Sequence, residues 1–248
     1  MLAAPLSDAI PANASPGPFR PAAAPALDVA AFDALTVPTG VIRGVKTPNY
    51  YSGYYANIVG SQILTATVVV PTVKCTNSAT WGATVGLLAL MDSGIDEHGG
   101  GVEVGCAPGN GTPTYSAALC DPSFQKQCSA LADTVAPLDT VVVTVAASGG
   151  CHPTCGSLTV TVHDTTQGWS ESSPGGTSNS DFDTFVVALG SAPLPDFGKV
   201  TLSNVSSSAV SFRWRKFNLI DAAGHVLARA GGFTNARRSF NVKWVRSS

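Results

Sequence analysis

The sequence predicts an all-β domain (a sandwich, jelly roll or barrel) on three observations. About eleven strand-length runs recur at hairpin spacing, with no capped helix of useful length between them. Serine, threonine, valine and glycine dominate, as suits pleated strands joined by tight turns. Charged residues make up only 12% against 44% hydrophobic, so a chain of 248 residues has ample material for one core. A parallel α/β fold is excluded, because its crossover helices have no counterpart here.

Residues 1–40 are rich in alanine and proline without a sustained period, which favours extended, solvated backbone. They read as a disordered linker or propeptide remnant ahead of a single domain over residues 41–248. Within that domain Tyr50 to Val59 alternates aromatic and small residues, and Ile63 to Val70 is a strand stopped by Pro71. Ala83 to Leu90 is an apolar run ended by Asp92-Ser93-Gly94. Gly99-Gly100-Gly101 reads as a turn before a short strand at Val102 to Gly105, and Gly109-Asn110-Gly111 as another turn. Ser129 to Asp133 has room for one helical turn. Thr140 to Ala146 and Leu158 to Val162 alternate threonine and valine, the clearest strand signal in the chain. Gln167 to Ser180 is polar and glycine-rich and reads as a loop. Thr184 to Leu189, Val200 to Val205, Ala209 to Asn218, His225 to Ala230 and Phe240 to Val245 complete the set, with Ala222-Ala223-Gly224 as a hairpin turn.

Charge is uneven beneath a net value of -2. Residues 199–248 hold nine Lys/Arg and one acid, Asp221, whereas residues 1–198 hold five bases and fifteen acids. A basic end attracts acidic polymers. The preferred reading is blander: single outward cations such as Arg213, Arg215, Arg229, Lys243 and Arg246 discourage edge pairing or face the acidic remainder. No phosphate loop, dinucleotide fingerprint or nucleic-acid motif is present, so neither a cofactor nor a nucleic-acid partner is expected. No apolar run approaches the roughly 18 residues of a membrane span, and no membrane partner is expected.

Six cysteines (Cys75, Cys106, Cys120, Cys128, Cys151 and Cys155) lie between strand-like runs, which fits an oxidised, extracytoplasmic setting. The preferred pairing is Cys75–Cys106 with two local staples, Cys120–Cys128 and Cys151–Cys155, out of fifteen possibilities. Secretion is therefore expected, although Met1 to Pro5 shows neither the basic nor the apolar region of a signal peptide. Cys151-His152-Pro153-Thr154-Cys155 lacks the second ligand pair of a zinc site. Asp92, Asp96, Glu97 and His98 lack the regular spacing of a calcium loop, so no metal is expected. His163-Asp164 reads as a turn pair, and no Gly-x-Ser-x-Gly elbow accompanies it.

Five segments then occur in a telling order: Tyr51-Ser52-Gly53-Tyr54, Ile63 to Pro71 with its Val-Val-Val-Pro end, Val85-Gly86-Leu87, Pro195 to Asn204, and Ile220 to Ala228 with Ser239 to Trp244. Together they resemble the eqolisins, the glutamic peptidases. The first is similar to the family's Trp-Ser/Gly-Gly entry motif and the third to its Val-Gly-Ile/Leu strand. The fourth is similar to its Phe-Gly-x-Val-x-Phe-x-Asn segment, and the last to the closing hairpin of bacterial members. The resemblance, to a divergent bacterial-type member, implies a concanavalin-like, jelly-roll β-sandwich of two bent, stacked antiparallel sheets. It also implies a concave face that holds substrate, secretion, and activity at acid pH.

The family's chemistry needs a glutamate as general base on the attacking water and a glutamine amide that positions the water and stabilises the oxyanion. The resemblance sets the glutamine position on Val104 and the glutamate position on Ala188, and neither side chain can donate a hydrogen bond or take a proton. Thr84 stands in place of a tryptophan, and Ala117-Ala118-Leu119 in place of an aromatic and acidic run. Tyr51, Tyr54 and Tyr115 remain as groove-binding aromatics. Losing an oxyanion donor costs about 10²–10³ in rate, and losing a general base about 10²–10⁴. Glu103 and Asp183 are substitute carboxylates nearby, but strand alternation turns Glu103 away from the face of Val104 and Asp183 from that of Ala188, unless a bulge intervenes. The expectation is a pseudoenzyme that binds an extended polypeptide or polysaccharide in its groove. Two alternatives stand beside it: an active acid endopeptidase with displaced catalytic residues, and an extracellular assembly protein.

Overall fold

The computed structural model describes residues 51–58, 63–75, 83–91, 97–107, 111–121, 127–147, 155–178, 182–190, 194–207, 215–221, 223–234 and 238–246. They contain fourteen strands: β1 (Tyr51–Ile58), β2 (Ile63–Val69), β3 (Ala83–Met91), β4 (Glu97–Cys106), β5 (Pro113–Asp121), β6 (Gln127–Ala130), β7 (Thr140–Ala147), β8 (Cys155–Asp164), β9 (Trp169–Ser178), β10 (Phe182–Gly190), β11 (Lys199–Ser207), β12 (Arg215–Ile220), β13 (Val226–Ala230) and β14 (Phe240–Trp244). The proposed linker, residues 1–40, lies outside the described residues, as does the Cys151–Cys155 staple.

Hydrogen bonding links the strands into one ribbon, β6-β5-β4-β3-β10-β1-β12-β13-β14-β11-β2-β7-β8-β9. The ribbon changes layer at β12, where Arg215, Lys216 and Phe217 pair with β1 while Asn218, Leu219 and Ile220 pair with β13. Two antiparallel sheets result. The β4 layer runs from β6 to β1, the β7 layer from β13 to β9, and β4 packs over β7 and β8. The predicted all-β class is what forms, with no helix among the described residues.

Alternation builds the core. In β7 Val141, Val143 and Val145 are buried while Val142 and Thr144 are partly exposed. The buried set joins Val160 and Val162 of β8, Val68 of β2 and Leu202 of β11 with Val102 and Val104 of β4 in one apolar cluster. Each such side chain contributes about 1.5–3 kcal/mol on burial, and valine suits the role because its branched Cβ fills a pleated surface.

Strands β5, β6 and β9 exceed the sequence-based count, and β4 runs longer than expected. Gly99-Gly100-Gly101 is no turn but the middle of β4: a Cβ on Gly100 would come within 2.6 Å of a Val162 methyl, so only glycine lets the layers approach there. Residues 169–178 form edge strand β9 rather than a loop, paired along β8, with Ser170 and Ser172 exposed and Ser173 buried. Ser129 extends β6 and does not begin a helical turn; β5, to which it pairs, carries an alternation too irregular to count as a strand from sequence.

Two local devices fix the layers. Cys75 and Cys106 form the long disulfide of the predicted pairing, tying the chain beyond β2 to the end of β4. Cys120 and Cys128 are register partners on β5 and β6; their side chains lie outside the described residues. Just before β11, the exposed Gly198 takes a φ of +61°, which L-residues with a Cβ rarely adopt, and donates its N–H to Asp196 Oδ1 at 2.8 Å. That turn drives Phe197 into the core at 1% exposure, and Trp244 Nε1–H donates to Leu194 O beside it at 3.3 Å.

Candidate functional site: the outward face of the β4 layer

Register sorts the residues of the β4 layer onto two faces. Val102 and Val104 have no exposure, and Gly100 between the layers faces Val160 and Val162, so the even-numbered positions of β4 look into the core. Val104 is therefore a core residue. Ala188 stands in register with Ser52 and Val85, and Val85 with Val102, which puts Ala188 on the same face. The two positions to which the family resemblance assigns the catalytic pair thus belong to the face that packs against the β7 layer. The opposite face of the β4 layer carries the odd-numbered positions of β4.

On that other face one row crosses five strands: Tyr51 of β1, Leu189 of β10, Thr84 of β3, Glu103 of β4 and Ser116 of β5. The row unites Tyr51, Thr84 and Glu103, three residues singled out from sequence, and adds Ser116, which sequence did not suggest because only register shows what faces Glu103. Glu103 is partly buried, with Ser116 Oγ 3.4 Å from its Oε2. Burial pushes the Glu103 carboxyl above its ordinary range, and the Ser116 hydroxyl offsets part of that rise. The next row comprises Gly53, Val187, Gly86, Gly101 and Ala118. Gly53, Gly101 and Ala118 in it are shielded from solvent, so this row makes a recessed floor of small residues beside Glu103.

The remaining sequence candidates lie elsewhere. Asp183 shares the parity of Glu103's row through its partners Asn57 and Leu90, but it is six residues along β10 from Leu189, roughly 20 Å at strand rise. Asp183 and Glu103 cannot grip one water. Tyr54 packs against Phe233 and Phe240, with ring centroids 5.3 and 4.8 Å away, and its hydroxyl donates to Gly231 O at 2.7 Å. At 6% exposure it is a core aromatic joining the layers, which corrects its expected place in a groove. Tyr115 is the register partner of Val104, and its hydroxyl accepts the Val73 N–H at 3.0 Å, so it holds the β2 exit rather than a ligand. Ser52, at 0% exposure, has a hydroxyl with no hydrogen-bond partner among the described residues.

A single half-buried carboxyl that keeps its proton above the usual range can donate a hydrogen bond to a carbonyl or hydroxyl in acid. It has no amide donor beside it in its row. Among the described residues no group of three or more metal-ligating side chains converges.

No family model matches the chain, and no curated protein matches it by sequence. Solved structures do share its fold. Scytalido-glutamic peptidase, crystallised with a peptide-based transition state analog, superposes with a TM-score of 0.58 at 15% identity, over 80% of this chain and 100% of that one. SCP-B, a member of the eqolisin family of peptidases in complex with the tripeptide Ala-Ile-His, gives 0.56 at 15% identity over the same shares. The eqolisin-like β-sandwich is thus the architecture of this chain.

Proposed function

We propose that this protein is a secreted, divergent relative of the glutamic peptidases that binds an extended polypeptide or polysaccharide across the outward face of its β4 layer without cleaving it. One observation carries the reading: the row Tyr51–Leu189–Thr84–Glu103–Ser116 offers one carboxyl and three hydroxyl residues but no amide. A water placed there has a potential base but not the amide on which the glutamic peptidases rely to position it and steady the oxyanion. The small-residue floor beside the row supports an elongated ligand, because glycine lets another backbone approach closely. Structural neighbours crystallised with peptide-like ligands favour a polypeptide. The Cys75–Cys106 bridge supports an oxidising compartment.

A second reading, an acid endopeptidase that uses Glu103 as a displaced general base, draws on the raised pKa of that carboxyl. Calorimetric titration of the protein with reduced, carboxymethylated casein and with a neutral glucan, at acid and neutral pH, tests the binding reading. Saturable binding of either polymer with the polymer recovered intact is expected. Absence of binding to both would remove the reading.

A further inference from the structure

The outer face of the β7 layer carries cations that the fold does not need for itself. Lys199 of β11, Lys243 of β14 and Arg229 of β13 are consecutive register partners. All three are exposed, whereas Val200, Val242 and Ala230 beside them are buried, so they share the outward side. Strand spacing sets them about 4.8 Å apart along the row. Like charges directly opposite one another destabilise a sheet. Edge protection does not account for them, because β13, β14 and β11 lie inside the ribbon, whose edges are β6 and β9.

Nor does the protein neutralise them: none of the three has an ion-pair partner among the described residues. The acids closest along the chain are otherwise engaged, Asp196 with Gly198 N–H and Asp221 with His225. The same side continues in uncharged groups. Thr201 and Asn241 pair next to the cations, and a hydroxyl row, Thr65–Thr144–Thr161–Ser172, crosses β2, β7, β8 and β9 beyond them.

We infer that the row Lys199–Lys243–Arg229 binds an acidic polysaccharide whose sugars bear carboxylates. The spacing of the cations is close to the length of one pyranose unit, so successive uronate groups can meet successive strands. Arg229 offers a carboxylate its two-pronged fork, and the lysines act as point charges. The hydroxyl and amide groups alongside, Thr201 and Asn241 among them, suit sugar hydroxyls. The site lies on the β7 layer, so it stands or falls independently of ligand binding on the β4 layer.

The test is calorimetric titration of the full chain with polygalacturonate, set against neutral dextran, poly-glutamate and single-stranded DNA of matched length. Polygalacturonate is expected to bind and to weaken steeply with salt, as screening demands, while dextran does not bind. The triple variant K199Q/R229Q/K243Q is expected to lose about tenfold or more in affinity. Its melting temperature should be unchanged or higher, because a like-charge row has been removed. K216Q, on β12 outside the row, should keep its affinity within about twofold. Wild-type affinity in the triple variant overturns the proposal, as does tighter binding of DNA or poly-glutamate than of polygalacturonate.

Discussion

Glu103 and Ser116 face each other across β4 and β5, with Ser116 Oγ 3.4 Å from Glu103 Oε2, while Val104, one residue on, is sealed in the core. This one-residue step decides what the outward face can do. The side chain that reaches it is a partly buried acid, while its neighbour Val104 turns into the core.

The acid makes stability depend on pH with a definite sign. Burial raises the folded-state pKa of Glu103 above 4.5, so between that value and the raised one the folded chain holds a proton that the unfolded chain releases. Stability from this group is present at low pH and falls as pH rises through the raised pKa. E103Q, neutral throughout, should melt close to wild type in strong acid and above it at neutral pH. Thermal melts across the range check this, and a gap that shrinks towards neutrality would contradict it. Asp221 acts oppositely: the His225 N–H and ring hold its pKa low, so its small contribution is lost as pH falls through that depressed value.

Ser52 should be better as alanine. Its hydroxyl is fully buried without a partner among the described residues, and an orphaned polar group costs about 1–3 kcal/mol. S52A is expected to raise stability by about 1 kcal/mol in denaturant unfolding. A loss of that size would mean that the hydroxyl has a role the packing does not reveal.

Opening the Cys75–Cys106 bridge should weaken the fold markedly. It closes a separation of 31 residues, for which the chain-entropy model gives about 3–4 kcal/mol. The double variant C75A/C106A should therefore unfold at clearly lower denaturant; an unmoved midpoint would rule out this constraint as a source of stability.

Much of the architecture was legible because alternation is local: β2, β7 and β8 announce themselves in Val/Thr runs that need no knowledge of their neighbours. Gly99-Gly100-Gly101 was illegible because its reason is tertiary, the approach of Val162 from the other layer. Strand β9 was hidden for the opposite reason: it lies at the ribbon's edge and its sequence, WSESSPGGTS, carries no apolar signature. The site was half legible. Alternation alone set Glu103 opposite Val104, but only the packing of β4 over β7 and β8 tells which of the two faces is interior, and only register brings in Ser116. Tyr54 misled because an aromatic beside glycine looks alike on a groove and in a core; its hydroxyl bond to Gly231 O decides for the core.

The most direct measurement is digestion of acid-denatured haemoglobin by the purified protein at about pH 3, where a carboxyl base and an amide donor would be at work, with new amino termini counted over a day beside E103Q. The account predicts no release above the protein-free blank for either protein. Steady release by the wild type that E103Q abolishes would contradict it and make Glu103 the working group of a peptidase.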